Sequence, residues 1–483
     1  MGMIARASLI TGSATLIASA IALVRNRVIA TLQGTEGIGL LGQFTSLQAL
    51  IAGIAALGLA TGLVKYLSQY LESKEYDRVS RSISSAVIMV TVCSAAAAAV
   101  LTILSGWISS LLVGDDSARV YVIIIAVSIP VASLTTIFNG LINGARAIKS
   151  LARISVFSSL GALLIAAPAV YFLGTVGIIV QIGAASAVAF VVSFVVSRKI
   201  RKTWPTNTAP AGFDAEESKL LLHYGVVSIV TGLLLPLTLL ITQTAVIRQE
   251  GLSANGLFTA AWALFWLYIG FATTSVVVYL FPTMSATKEY GNLSKQVNNG
   301  VRFLAMATTP IACVIILIPG IILTILYSPD FTEAAWLLQV FAIAGAFRIV
   351  SFPISITLMA KKHLKEYLPI EVSWYVVFAI IVIAFLPSMG IHAIAVAVLA
   401  AYVVHTVLFV IFVRRLLGLF YTGKNWLILA SSAALLILIF ALDQHSAVLS
   451  YLATAILLPT WLFFAAEKEE RTWFVSKLLR RPQ

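Results

Sequence analysis

Residues 37–81 read GIGLLGQFTSLQALIAGIAALGLATGLVKYLSQYLESKEYDRVSR. From Gly37 to Leu71 the stretch is dominated by apolar and small residues, with Lys65 its one charge, and it then breaks into a short loop carrying Lys74, Arg78 and Arg81. A hydrocarbon core about 30 Å thick is crossed by roughly 20 helical residues. The stretch therefore reads as a membrane span, and the cations after it hold the loop on the cytoplasmic side.

The whole chain repeats this pattern. Of its 483 residues, 60% are hydrophobic and 11% charged, and the mean hydropathy is +1.00. These values lie far outside the range of soluble domains. The apolar runs are too long and too continuous for barrel strands, which alternate over about ten residues, so the backbone must satisfy itself as helices. The fold class is an all-α polytopic membrane protein. Arg6 followed by an apolar run and Ala18-Ser19-Ala20 imitates a cleavable leader, but the run continues through Leu23, and we read it as the first span. Cys93 and Cys313 each lie inside an apolar run, where a thiol is a small hydrophobe. Neither a disulfide nor a metal is expected.

The 32 Lys and Arg exceed the 19 Asp and Glu, and their placement gives the reason. Fourteen spans are expected, centred near Ala20, Gly53, Ser94, Ile129, Leu164, Ala187, Leu234, Phe271, Pro310, Ala346, Val377, Leu399, Ala434 and Leu457. With the N-terminus inside, alternate loops hold Arg146, Lys149 and Arg153, then Arg198, Lys199, Arg201, Lys202 and Lys219, then Lys288, Lys295 and Arg302. Lys361, Lys362 and Lys365 follow, then Arg414, Arg415 and Lys424, and a tail with Lys468, Arg471, Lys477, Arg480 and Arg481. The opposite loops, TLQGTEGIG, GDDSAR, LGTVG, RQEGLSANG, YSPDFTE, PSMG and DQHS, supply only Arg119 and Arg248. A missed span would invert this bias partway along, so both termini are expected in the cytoplasm and the basic excess is topogenic. Nucleic acid is not an expected partner.

The chain also matches itself at an offset of 214 residues (290 − 76). GQFTSLQAL at Gly42 aligns with GLFTAAWAL at Gly256, and Lys74-Glu75-Tyr76 with Lys288-Glu289-Tyr290. Span two thus matches span eight. A shift of six spans keeps orientation, which implies two parallel, pseudo-symmetric six-helix lobes. The expected boundaries are an N-terminal lobe over 1–200, a cytoplasmic linker over 201–219, a C-terminal lobe over 220–413, an added helix pair over 425–465 and a basic tail over 466–483.

The segment from Gly37 to Tyr70, its basic loop, and FNGLINGARAIKSLARISVFSSLGALL over 138–164 resemble the O-antigen and polysaccharide flippases of the Wzx type. These belong to the multidrug/oligosaccharidyl-lipid/polysaccharide exporter superfamily. The resemblance covers the first half by motif and the second by layout. It implies a flippase that carries a polyprenyl-pyrophosphate-linked oligosaccharide across the cytoplasmic membrane by alternating access, with polysaccharide polymerase machinery as a candidate partner. Many members have twelve spans, so the added pair is a departure, one shared with lipid II flippases.

An ionisable side chain at bilayer depth costs several kcal/mol unless it meets water or a partner, which makes each one a candidate for substrate binding. Arg348 lies 15 residues after Glu333 (348 − 333) and 13 before Lys361 (361 − 348), about 20 Å from either end at ~1.5 Å per residue. It is expected in a wet cavity between the lobes, or paired with carbonyls freed by Pro353. Arg25 and Arg27 stand near the outer end of span one, about 200° apart around the helix, so they face different ways. Lys65 suits a cavity or a topogenic role, and Arg248 a cavity mouth or an exposed pair with Glu250. Asn139, Asn143 and Arg146 fall at i, i+4 and i+7, a polar stripe that suits sugar hydroxyls or the next helix. No Asp or Glu falls mid-span, and Glu371 comes within about a turn of the end of span eleven. That pattern disfavours a cation pathway and favours an anionic cargo, since Arg grips diphosphate oxygens bidentately.

His223, His363, His392, His405 and His445 lack metal spacing, and no Walker loop is present. Neither an enzyme nor a cofactor is expected. The alternatives kept are an ion-coupled multidrug exporter of the same superfamily, a lipid II flippase and a membrane glycosyltransferase or polymerase.

Overall fold

A computed structural model describes residues 2–205, 212–287, 289–361, 363–419 and 421–467. Lys288, Lys362, part of the expected linker (206–211) and the tail cations Lys468, Arg471, Lys477, Arg480 and Arg481 lie outside the described residues. The described chain is helical nearly throughout, and eleven of its helices are long and apolar enough to cross a membrane.

Three helices are too long for a single crossing. α1 (Gly2–Ala55) and α6 (Ile148–Arg201) have 54 residues each, and α7 (Ala215–Ala286) has 72; at ~1.5 Å per residue even 54 residues extend about 80 Å. Each is broken once, at Gly34 (φ 64°), Gly174 (φ 57°) and Gly251 (φ 88°). A positive φ is open to glycine without the Cβ penalty, which lets the chain turn where another residue would continue the helix. At Gly174 the chain doubles back so closely that any side chain at Gly177 would run into the Ala169 carbonyl. All three breaks fall inside segments that the sequence assigns to short loops. So do Gly114 after α4 (Ser105–Val113) and Gly390 after α11 (Leu364–Met389). α1 passes through Ala18-Ser19-Ala20 without interruption.

The described chain forms two compact units, one of Met1–Thr259 with Leu326–Asp330, the other of Ala260–Ile325 with the residues from Phe331 onward. In the first, α1 packs on α6 and on α5 (Arg119–Gly144), while α2 (Leu59–Glu72) and α3 (Tyr76–Ile103) pack on α5. Leu59, Leu63, Ala86, Ile137, Leu141 and Leu221 form its fully buried inner core. This unit runs past residue 200 because the first part of α7 is locked to α1 and α2 by close backbone approach. A side chain at Gly39 would meet the Leu252 carbonyl, one at Gly58 the Gly225 carbonyl, and one at Gly62 that of Leu221. Small residues are what permit helices to pack this closely in lipid, where no hydrophobic force joins them.

In the second unit α10 (Ala335–Ala360) is the central helix, packing on α8 (Tyr290–Leu317) and on α12 (His392–Leu417); α11 packs on α12, and α13 (Gly423–His445) joins α8 to α14 (Ala447–Ala465). The most apolar window of α10 is 83% buried, that of α14 only 17%, so α10 is the axis of the unit and α14 its periphery. Phe172, Ile103, Val127 and Ile383 point outward and exposed, which suits a surface bathed in hydrocarbon.

Gly58 has φ 62° and lies against Gly225. Replacing it with Val should cost the left-handed penalty of about 1–2 kcal/mol plus a clash. Thermal unfolding of the detergent-solubilised protein should show a lower midpoint for Gly58→Val than for Gly212→Ala, where the Cβ meets open space.

Candidate functional site

The second unit encloses a cluster of charged and aromatic residues around the middle of α10. Arg348 lies 13 residues from one end of this helix (348 − 335) and 12 from the other (360 − 348). It is half-buried, its guanidinium carbon 5.4 Å from the Phe352 ring and 6.0 Å from that of Tyr402. Ring faces are negative, so both stabilise the cation away from water. Glu371 of α11 and His405 of α12 complete the cluster, His405 Nε2 lying 3.3 Å from Glu371 Oε2. Glu371, Tyr367, Tyr375 and Tyr402 all stand within electrostatic reach of Arg348. Trp374 stacks on Phe378 at 5.1 Å and meets Tyr402 at 5.4 Å, and its buried Nε1 has no hydrogen-bond partner among the described residues. The arrangement is a guanidinium, a carboxylate and an imidazole inside an aromatic wall.

Glu371 corrects the expectation that carboxylates avoid the interior. Counted along α11 it is a turn or two from the end, but the imidazole that meets it is on another helix, 34 residues away. No intrahelical spacing reveals such a pair.

The remaining sequence candidates lie in the first unit and are not gathered at one point. Arg25 is half-buried and donates to Asn26 Oδ1 from Nε at 3.3 Å and Nη2 at 3.0 Å, whereas Arg27 is exposed. The Lys65 ammonium sits 3.5 Å from the centre of the Tyr224 ring and 4.9 Å from that of Tyr66. Arg248 donates to the carbonyls of Ser110 and Leu111, both at 2.9 Å, and so caps the C-terminus of α4. Asn139 Oδ1 accepts from Ser193 Oγ at 2.9 Å. The stripe expected through Asn139, Asn143 and Arg146 stops short, because α5 ends at Gly144 and Arg146 has φ 55°. Arg146 turns instead to Glu72 at 3.2 Å in an exposed ion pair.

Sequence reasoning also missed Glu217, which it took for part of a solvated linker. Its carboxylate is almost wholly buried, accepting from Ser82 Oγ at 2.6 Å, Arg78 Nε at 3.0 Å and Tyr70 OH at 3.2 Å. Asp214 caps the same helix, its Oδ1 accepting from the backbone N–H of Glu216 at 2.9 Å and of Glu217 at 3.1 Å. The Glu217 N–H bond holds the Asp214 carboxyl below the usual carboxylate range. The first turn of α7 is thereby tied to α2 and α3.

Comparison with known proteins places this architecture. Residues 28–336 match the family described as polysaccharide biosynthesis protein. The chain belongs to that family. The lipid III flippase of Escherichia coli K12 is 22% identical over 402 residues, covering 83% of this chain and 96% of the relative. The structure of lipid II flippase MurJ in an inward closed conformation matches with a TM-score of 0.74 at 15% identity, covering 98% of this chain and all of that one. An inward-facing multidrug resistance transporter of the MATE family and MOP superfamily gives a TM-score of 0.68 at 15% identity over 86% of this chain and 98% of its own. These structural likenesses show that the chain shares the fold of those proteins. The family member described here is a multi-pass protein of the inner membrane.

Removing the Glu217 carboxylate leaves two buried hydroxyls without their acceptor. Glu217→Ala should lower stability by about 1–3 kcal/mol, and Glu217→Gln by less, measured as thermal midpoints in detergent. The Asp214 carboxyl is held low in the folded protein, so its support is complete above the ordinary carboxylate range and is lost as pH falls through the lowered value. Asp214→Asn should flatten that acid-side loss in a pH series of thermal midpoints.

Proposed function

We propose that this protein is a flippase that moves a polyprenyl-pyrophosphate-linked oligosaccharide from the inner to the outer leaflet by alternating access. The carrying observation is Arg348, a guanidinium half-way along the most enclosed of the candidate spans among the described residues, about 20 Å from either end. A cation at that depth is costly unless it meets water or a partner, which makes it a candidate for function, and its planar fork suits the paired oxygens of a diphosphate. The name of the lipid III flippase relative supports a lipid-linked cargo.

In this reading each of α1, α6 and α7 makes two crossings about its glycine break, which brings eleven apolar helices to fourteen spans. The alternating Lys and Arg then put both termini in the cytoplasm. The offset of 214 residues supports lobes over 1–200 and 220–413, with the pair over 425–465 added. Arg25 and Lys65 are the first-unit cations best suited to assist, being only partly exposed. Arg27, Arg248, Asn139, Asn143 and Arg146 are weaker candidates, since Arg248, Asn139 and Arg146 are each committed to a protein partner and Arg27 and Asn143 lie exposed. The protein acts without covalent chemistry. The enclosed Glu371 is the observation that favours the ion-coupled multidrug exporter as a second reading, since cation exporters need a buried carboxylate.

Arg348→Gln should abolish translocation of the lipid-linked glycan at normal protein levels, while Arg348→Lys, which keeps the charge but loses the fork, should retain a minor fraction. Export of the glycan in a null strain complemented with each variant measures this. Full export with Arg348→Gln would remove Arg348 from the path.

A further inference from the structure

His405, which is buried, and Glu371, which is partly buried, are ionisable groups that gripping a cargo does not itself require. His405 is 1% exposed. Its Nε2 faces Glu371 Oε2 at 3.3 Å, and its Nδ1 has no hydrogen-bond partner among the described residues. A carboxylate only accepts, so Nε2 carries the hydrogen and Nδ1 an unused lone pair. The groups packed around the pair are Arg348 on α10, Tyr367 and Tyr375 on α11, and Tyr402 on α12, with the Phe409 ring 4.6 Å from the imidazole. The charges that act on His405 are those of Glu371 and Arg348.

With the imidazole neutral, Arg348 and Glu371 cancel each other. A diphosphate that arrives at Arg348 adds surplus negative charge beside Glu371. In a buried setting that surplus is expensive. The compensation nearest to hand is a proton from water on the free Nδ1 lone pair, which leaves an imidazolium beside the Glu371 carboxylate and the charge of Arg348 to the ligand.

We propose that Glu371 and His405 form a proton-binding site that loads when a lipid diphosphate binds Arg348 and empties when it leaves. The proton comes from solvent and returns to it, and no bond of the lipid changes. His405 is then a positioning residue acting through Glu371. This inference rests on Arg348 as the anionic anchor.

The test is calorimetry of geranylgeranyl diphosphate binding to the full chain in detergent, in buffers of different ionisation enthalpy at about pH 7.5, above the ordinary imidazole value of about 6.5. The wild type should take up about one proton per ligand, and its affinity should fall about tenfold per pH unit above neutrality. His405→Asn should bind with no proton uptake and a flat pH profile. Wild-type binding without proton exchange, or undiminished uptake in His405→Asn, would overturn the proposal while leaving the anchor in place. If that variant does not fold, the pH series on the wild type suffices, and an affinity that does not change with pH overturns the proposal. No binding by the wild type, or unchanged binding by Arg348→Gln, would remove the anchor and this inference with it.

Discussion

A guanidinium cannot rest in hydrocarbon without company, and the interior of the second unit is organised around that constraint. Arg348 is half-way along α10, too far from either end to reach water by extending its side chain. Its company comes from three helices: Phe352 on its own, Glu371 from α11, and Tyr402 and His405 from α12. Away from their ends these helices are mainly apolar. The polar groups are therefore concentrated at one depth, where they stabilise one another.

The first unit meets the same solvent with a different device. Where α1 approaches α7, contact includes glycines and hydroxyl or amide side chains: Thr35 Oγ1 meets Ser253 Oγ at 3.0 Å, Gln43 Nε2 meets Thr244 Oγ1 at 2.8 Å, and Asn255 Nδ2 meets the Gly39 carbonyl at 2.8 Å. Interlocked large side chains would resist parting; small ones do so less. The buried Oε1 atoms of Gln43 and Gln243 and the Oδ1 of Asn255 have no hydrogen-bond partner among the described residues. At the other end of α7 the Glu217 carboxylate makes a much stronger attachment to Tyr70, Arg78 and Ser82.

Much of this was legible in the sequence because it depends on local composition. Long apolar runs gave helices, and glycines inside short polar breaks gave the turns at Gly34, Gly174 and Gly251. Arg348 was legible for the same reason, as one charge in a long apolar run. The partners were not. Glu371 and His405 sit in separate helices, and only tertiary packing brings them to 3.3 Å. Glu217 belongs to a segment whose composition resembles a solvated linker, yet a tyrosine, a serine and an arginine from two other helices bury it. The Asn139, Asn143 and Arg146 stripe failed because helical spacing was extended past Gly144, where the backbone turns and Arg146 takes a left-handed conformation.

The central claim is that the enclosed cationic site serves an anionic lipid. It is tested most directly by reconstituting the purified protein in liposomes and following transbilayer movement of a fluorescent polyprenyl-diphosphate glycan alongside uptake of a lipophilic cationic dye. The account predicts protein-dependent movement of the diphosphate lipid and none of the dye. Dye transport with no movement of the diphosphate lipid would contradict it and give Glu371 the leading role instead.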